Sequence, residues 1–275
     1  MYSLNCKGRL LTWVDPIVMG VINITPDSFY SGSRIRSEEM LISQAEKMLK
    51  EGATILDLGG LSTRPGALEI SVDAEIERVI PAIKILCDRF PEAIISVDSY
   101  RYKVAEAALR AGASLINDIG VEQNDAMAEL AVAWRVPYIC MHMRGNPRTM
   151  QLQTNYEDLT LEVLDYFIRK KSEFKKLELT DLIVDPGFGF AKTTDQNFLL
   201  LKKMKILEML ELPVLVGLSR KATIYKTLDI KAEDSLNGTT VMHTLALEQG
   251  AAILRVHDVK EAKEAIRLWT SYASA

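Results

Sequence analysis

Short apolar runs that stop at a polar side chain and then enter a polar or glycine-rich loop recur along the whole chain. VMGVIN stops at Asn23, TILDLGG passes Asp57, IISVD stops at Asp98 and SLIND carries Asn117. YICMHM carries Met141 and His142, and LIVDPGFGFAK carries Asp185. PVLVGLSRK leads to Ser219 and Lys221, and ILRVHD brings Arg255 and His257. Runs of this length, rich in β-branched residues and closed by turn signals, read as buried strands. The predicted strands are Ile17–Asn23, Thr54–Leu58, Ile94–Asp98, Ser114–Asp118, Tyr138–Met143, Leu182–Asp185, Val214–Gly217 and Ala252–Val256. Residues 3–14 alternate weakly around Lys7-Gly8, which predicts a small hairpin placed at the floor of whatever the strands build.

Between the strands the period changes from two to that of a helix. Leu41, Ala45, Met48 and Leu49 share one face of a first helix, with Ser37 as its cap and Gly52 as its stop. Ile76, Val79, Ile80 and Ile83 mark a second helix, and Pro81 inside it predicts a kink. Further helices are predicted up to Gly112, over Ala126–Ala133, Glu157–Leu177 (the longest), Asp195–Lys205 and Ala232–Glu248, and around Val259, Ala262, Ile266 and Trp269. Eight strand–helix units without a low-complexity linker predict a single α/β domain over residues 1–275, a (β/α)8 barrel. The loops after the strands of such a barrel form its catalytic face, so the polar strand ends converge on one mouth.

Composition narrows the partners. Apolar residues are 48% of the chain and charged residues 25%, the balance of an ordinary globular protein. A net charge of −4 without a basic cluster argues against nucleic acid, and no apolar run is long enough to span a bilayer. Cys6, Cys87 and Cys140 form no paired motif, which fits reduced thiols and a cytoplasmic location.

The strand-end residues have chemistry as well as position. Asp57, Asp98 and Asp185 end or follow apolar runs, where an unpaired carboxylate is costly. Each can pair locally, but three at one rim beside Asn117 suit a flat heterocycle offering several N–H donors. That reading is stronger for Asp98 and Asp185 than for Asp57. Lys221 is either a solvated lysine or a donor to a ring carbonyl or nitrogen, while its neighbour Arg220 suits an outward ion pair. Arg255 and His257 alternate and share a side, and a guanidinium with an imidazole matches phosphate oxygens. His142 and His243 read as structural, the first as packing inside the barrel. Asn23 either braces a turn or supplies an oxygen to Mg²⁺, and no Cys/His spacing suggests zinc. Phe29 and Phe190 lie in loops, where they either pack together or wall a flat substrate.

Eight stretches in order resemble the dihydropteroate synthases: MGVINITPDSF, DLGGLSTRPGA, ISVDS, INDI, MHMRGNPRTMQ, DPGFGFAKT, VGLSRK and RVHD. The resemblance implies a (β/α)8 barrel that joins 4-aminobenzoate to a 7,8-dihydropterin and releases diphosphate. It implies that Asp98, Asn117, Met141, Asp185 and Lys221 hold the pterin. Thr63, Arg255 and His257 would meet the diphosphate, with Asn23 there as the Mg²⁺ ligand. Phe29, Arg64, Pro65, Phe190 and Ser219 would form the 4-aminobenzoate pocket, where sulfonamides compete. It also implies a homodimer.

Some positions depart from the family's pattern. Leu61 stands where glutamate is common, FYSGSR replaces FSDGG, Ala222 replaces serine, and Ala191 and Tyr225 replace glycine. Three further readings compete. A pterin-dependent methyltransferase would not need the Arg255/His257 pair. A non-catalytic pterin-binding protein would have no use for Asn23, Thr63 and Lys221 together. A phosphosugar aldolase would need a buried lysine at a strand end, which the sequence does not offer.

Overall fold

The computed structural model describes residues 1–24, 34–61, 70–120 and 125–275, with the backbone alone at 34–36. Two short strands, β1 (Tyr2–Cys6) and β2 (Arg9–Trp13), pair antiparallel as a hairpin turned at Lys7 and Gly8. Eight parallel strands follow: β3 (Ile17–Asn23), β4 (Ile55–Gly59), β5 (Ile94–Asp98), β6 (Leu115–Asp118), β7 (Tyr138–Met141), β8 (Leu182–Asp185), β9 (Leu215–Val216) and β10 (Ile253–Val256). Their order is β8-β7-β6-β5-β4-β3-β10-β9, and a parallel bridge between Val184 and Val214 closes β8 onto β9. The helices between them are α1 (Arg34–Lys50), α2 (Val72–Arg89), α3 (Tyr102–Ala111), α4 (Ala126–Trp134), α5 (Leu159–Lys176), α6 (Thr194–Lys203), α7 (Ala222–Thr227), α8 (Leu236–Glu248) and α9 (Val259–Ala273).

The period of two sorts each strand into an inner and an outer row. Outward residues such as Leu56, Val97, Ile116, Val184 and Leu254 pack with the helices in the larger core. Inward residues near the strand starts are apolar. Met19, Ile55, Ile94, Leu115, Ile139, Ile183, Leu215 and Ile253 form one cluster with Leu4, Cys6 and Trp13 of the hairpin. The hairpin therefore plugs the floor, as the alternation around Lys7-Gly8 predicts. Two residues further along the same rows stand Asp57, Ser96, Asn117, Met141, Asp185 and Arg255, so one pleat delivers an apolar floor and a polar mouth.

Local differences from the sequence reading have physical causes. Helix α1 begins at Arg34, which places Ser37 inside the helix instead of at its cap. Helix α2 continues through Pro81, which lies on its exposed side, and Ser71 caps it by accepting from Ala74 N. The stretch predicted as one helix from Ala232 splits into a single 3₁₀ turn, Ala232–Asp234, and α8. A short helix, α7, also starts directly after Lys221. Helix α5 begins at Leu159, two residues later than predicted, and Asp158 caps it, its carboxylate accepting from Thr160 N and Leu161 N.

Candidate active site

At the mouth, the end of each strand presents its inward side chain to the same space. Asp57 of β4 is fully buried, and its Oδ2 accepts from Arg255 Nε at 2.6 Å and from Asn117 Nδ2 at 3.0 Å. Arg255 Nη2 donates to Asp98 Oδ2 at 2.5 Å. Residues from β4, β5, β6 and β10 are thus tied into one network across the barrel. Asp57, the weaker candidate in the sequence, is its hub. Asn117 uses its amide N–H to hold Asp57, which leaves its carbonyl oxygen as the acceptor.

Opposite this network, Asp185 ends β8, and its Oδ1 accepts from Gly187 N at 2.8 Å. Gly187 has φ +72°, and a Cβ there would stand 2.0 Å from the His142 carbonyl oxygen, so the turn requires glycine. Lys221, after β9, reaches into the mouth and donates to the Phe188 carbonyl oxygen at 2.5 Å. Its ammonium also lies 4.7 Å from the centre of the Phe190 ring. Met141 packs with Met143, Met150 and Ala191 against Phe190, giving the mouth one apolar wall. The sequence placed Asp98, Asn117, Met141, Asp185, Phe190, Lys221 and Arg255 in one site, and the fold brings these seven to the same mouth.

One guanidinium faces two carboxylates here, so a negative charge is left uncompensated. Burial pushes the Asp98 carboxyl up to about 7; Arg255 opposes the rise, and Asp57 and Glu75 add to it. Burial lowers Lys221 to about 8 against the pull of Asp185. Burial also raises Asp185, with Lys221 the main opposing charge. Burial works against the charge of Arg255, but Asp57 and Asp98 together raise its pKa. The mouth thus holds donors and acceptors whose charges shift near neutral pH, a feature of binding and catalytic sites.

On the rim, the Ser219 hydroxyl lies 3.0 Å from His257 Nδ1 and accepts from His257 N at 3.2 Å. These two residues, expected in different subsites, are direct neighbours. Arg220 turns outward as its sequence position suggests and makes a two-pronged contact with Asp258, both bonds 2.8 Å. Asn23 is exposed at the end of β3, in register with Gly59, which is itself in register with Asp98. Among the described residues no group of three or more His, Cys, Asp or Glu could hold a metal ion. Phe29, Thr63, Arg64 and Pro65 lie outside the described residues.

The position of His142 differs from the sequence reading. It continues the outward row of Tyr138 and Cys140, and its ring meets Tyr166 of α5 edge-on at 5.1 Å instead of packing inside the barrel. Its Nδ1 lies 3.0 Å from the ammonium of Lys192, a residue to which the sequence assigned no role. Lys192 is 3% exposed. A buried lysine therefore exists, set in the loop after β8 and not at a strand end. A second unanticipated pair, Glu75 with Arg101 at 2.9 Å, is buried beside Asp98. Glu75 carried a signal in the sequence, since a carboxylate beside Ile76 and Val79 sits at the edge of an apolar helix face.

Comparison with known proteins agrees with this geometry. A family model described as "Pterin binding enzyme" matches residues 19–257. The dihydropteroate synthase of Escherichia coli K12 is 41% identical over 275 residues, covering 99% of this chain and 97% of that one. The crystal structure of Yersinia pestis dihydropteroate synthase with a sulfonamide drug superposes with a TM-score of 0.91 at 38% identity, covering all of both chains. Xanthomonas albilineans dihydropteroate synthase with 4-aminobenzoic acid gives 0.90 at 37% identity, covering 99% of this chain and 98% of that one.

Proposed function

The chain belongs to the dihydropteroate synthases of the pterin-binding enzyme family, and we propose that its barrel mouth joins (7,8-dihydropterin-6-yl)methyl diphosphate to 4-aminobenzoate in the following geometry. The observation that carries this reading is the convergence of Asp98, Asn117, Asp185 and Lys221 on one mouth above the apolar floor, each held by a separate partner. A flat pterin presents ring N–H groups to carboxylates and a ring carbonyl to an ammonium. Met141 supports a ring face. Nη1 of Arg255 makes no hydrogen bond among the described residues, which leaves it for a diphosphate oxygen, with His257 on the rim beside it.

When the methylene carbon–oxygen bond breaks, its electron pair leaves with the diphosphate, and the positive charge left behind spreads over the ring nitrogens. Arg255 and His257 meet the charge of the departing group, the position where fixed donors lower a barrier most. The arylamine nitrogen then bonds to the methylene carbon and loses a proton. Phe190 and Ser219 stand where the arylamine would dock, with Phe29, Arg64 and Pro65 as its partners from outside the described residues, and Thr63 would join the diphosphate contacts.

Asn23 would hold a Mg²⁺ that arrives with the diphosphate, because it is an exposed oxygen donor at the mouth and Mg²⁺ takes few protein ligands, keeping water and phosphate oxygens for the rest. Bound there with the substrate, it would supply charge neutralisation of the diphosphate.

The protein is also proposed to be a cytoplasmic homodimer. No helix among the described residues is long and apolar enough to cross a membrane, and Cys6, Cys87 and Cys140 are free. Leu199 of α6, Leu228 after α7, and Val241 and Leu245 of α8 leave apolar side chains exposed on adjacent elements, a surface suited to a second copy. Sedimentation at micromolar concentration tests this; a monomer there would contradict it.

Incubation with the dihydropterin diphosphate, 4-aminobenzoate and Mg²⁺, followed by measurement of dihydropteroate and diphosphate, tests the whole reading. Equal release of both products is expected. Pterin binding without product would mark a non-catalytic binding protein.

A further inference from the structure

The loop after β8 is held by hydrogen bonds at nearly every peptide, and one of its anchors has no place in the reaction described above. Gly187 N is bound by Asp185, Phe190 N by the Gly187 carbonyl oxygen, and Gly189 N by Asn197 Oδ1 at 2.7 Å. Two of the loop's carbonyl oxygens, those of Gly187 and Phe190, each accept from Lys192 Nζ at 3.1 Å. The third contact of that ammonium is His142 Nδ1 at 3.0 Å, while the His142 carbonyl oxygen lies further off at 3.5 Å. An ammonium has three N–H donors, and the three nearest atoms here are all able to accept. Acceptance by Nδ1 leaves the imidazole proton on Nε2. Ala191 at φ +50° turns the chain so that Lys192 is directed inward behind the loop, not out into water.

The loop carries the two groups against which Lys221 rests, the Phe188 carbonyl oxygen and the Phe190 ring. Both lie within the span that Lys192 clamps from behind. Burying a lysine away from solvent is costly unless its donors are used, and a well-packed apolar side chain would fill the same volume at lower cost. From this arrangement we infer that Lys192 is a positioning residue, clamping the 187–190 loop from behind so that Lys221 is seated facing Asp185 and the pterin. The inference rests on the reading that Lys221 binds the pterin. Without the clamp the Phe190 carbonyl loses its donor and the Gly187 carbonyl keeps only Phe190 N, the Phe188 peptide is free to rotate, and Lys221 loses its seat.

A double-mutant cycle on the full-length protein tests this. Binding of 6-hydroxymethylpterin, an oxidised pterin that does not react, is measured by fluorescence for wild type, Lys192→Met, Lys221→Met and the double variant. Lys221→Met is expected to weaken binding by roughly tenfold or more, as for loss of a charge-assisted hydrogen bond. Lys192→Met is expected to weaken it several-fold, and the double variant to bind about as Lys221→Met does, because the two residues act in series. Separate losses that multiply in the double variant would overturn the clamp, since a residue needed only for folding has no reason to act through Lys221. Wild-type affinity in Lys192→Met beside a weakened Lys221→Met would overturn the clamp alone. Unchanged affinity in Lys221→Met would overturn the pterin assignment and the clamp with it. Should Lys192→Met not fold, Lys192→Gln takes its place in the same cycle with the same expected outcomes.

Discussion

Arg255 and Asp57 are 198 residues apart and meet at 2.6 Å across the mouth of the barrel. The aspartate is fully buried, and this guanidinium is its cationic partner. Removing one member of a buried pair strands the other, at a cost of about 3–5 kcal/mol. Arg255→Met is therefore expected to lower stability to urea toward the lower end of that range. It should cost more at pH 8 than at pH 6, because at pH 6 Asp98 is mostly protonated with or without the guanidinium. At pH 8 the wild type holds it ionised against Arg255, whereas in the variant, where burial pushes the carboxyl up further, that pairing is lost. Adding Asp57→Asn to Arg255→Met should recover part of the loss. Equal stability of Arg255→Met and wild type at pH 8 would show that the pair is not a structural tie.

The contrast between Asp57 and Asp98 shows what the sequence reveals. Both follow apolar runs, and the pattern of runs and polar ends was sufficient for the barrel, the hairpin at its floor and Asp98, Asn117, Asp185, Lys221 and Arg255 at the mouth; Met141 came from the family resemblance and Phe190 from its place in a loop. The role of each acid depends on which strand faces it across a closed sheet, and local spacing does not encode that. His142 was read as packing inside the barrel, although the period of two places it with Tyr138 and Cys140 and opposite Met141. The observed strand ends at Met141, and the row of Tyr138 and Cys140 faces α5. Lys192 was invisible for another reason: its burial follows from the positive φ of Ala191, a position where glycine would have signalled the turn. Ala222 and Tyr225 lie in the short helix after Lys221, and nothing in the structure assigns an effect to them or to Leu61.

The shifted charges in the mouth predict a bell-shaped pH dependence for pterin binding. Asp98 accepts an N–H best when ionised, and its carboxyl titrates at about 7, so affinity should rise as pH rises through that value. Lys221 donates best when charged and titrates at about 8, so affinity should fall above it. Titration of the oxidised pterin at several pH values checks both limbs. Asp98→Asn should remove the acid limb and Lys221→Gln the alkaline one, while the other limb stays in place in each variant.

The outer row of β6 supplies a control for the inner one. Tyr138 donates to Asp118 Oδ2 at 2.6 Å, with both residues buried outside the barrel wall. Tyr138→Phe removes a donor from a buried carboxylate and is expected to cost about 1–3 kcal/mol of stability. Turnover per folded molecule should be unchanged, because Asp118 faces away from the mouth that Asn117 faces. A lowered melting temperature with an unaltered KM for both substrates is the expected result.

His243 of α8 is buried, its Nε2 has no partner among the described residues, and burial lowers its pKa to about 4. The unfolded chain takes up a proton at about 6.5 and the folded protein only near 4, so the unfolded state binds more protons between those values. The stabilisation from keeping this histidine neutral is therefore present above about pH 6.5 and is lost as pH falls through that window. The loss amounts to about 3 kcal/mol at most. His243→Leu, which fills a similar volume without a titratable ring, should match wild type at pH 7.5 and become the more stable protein at pH 4.5. Urea unfolding at the two pH values checks the sign. If the two proteins lost stability in parallel on acidification, the acid sensitivity would lie in the carboxylates and not in this imidazole.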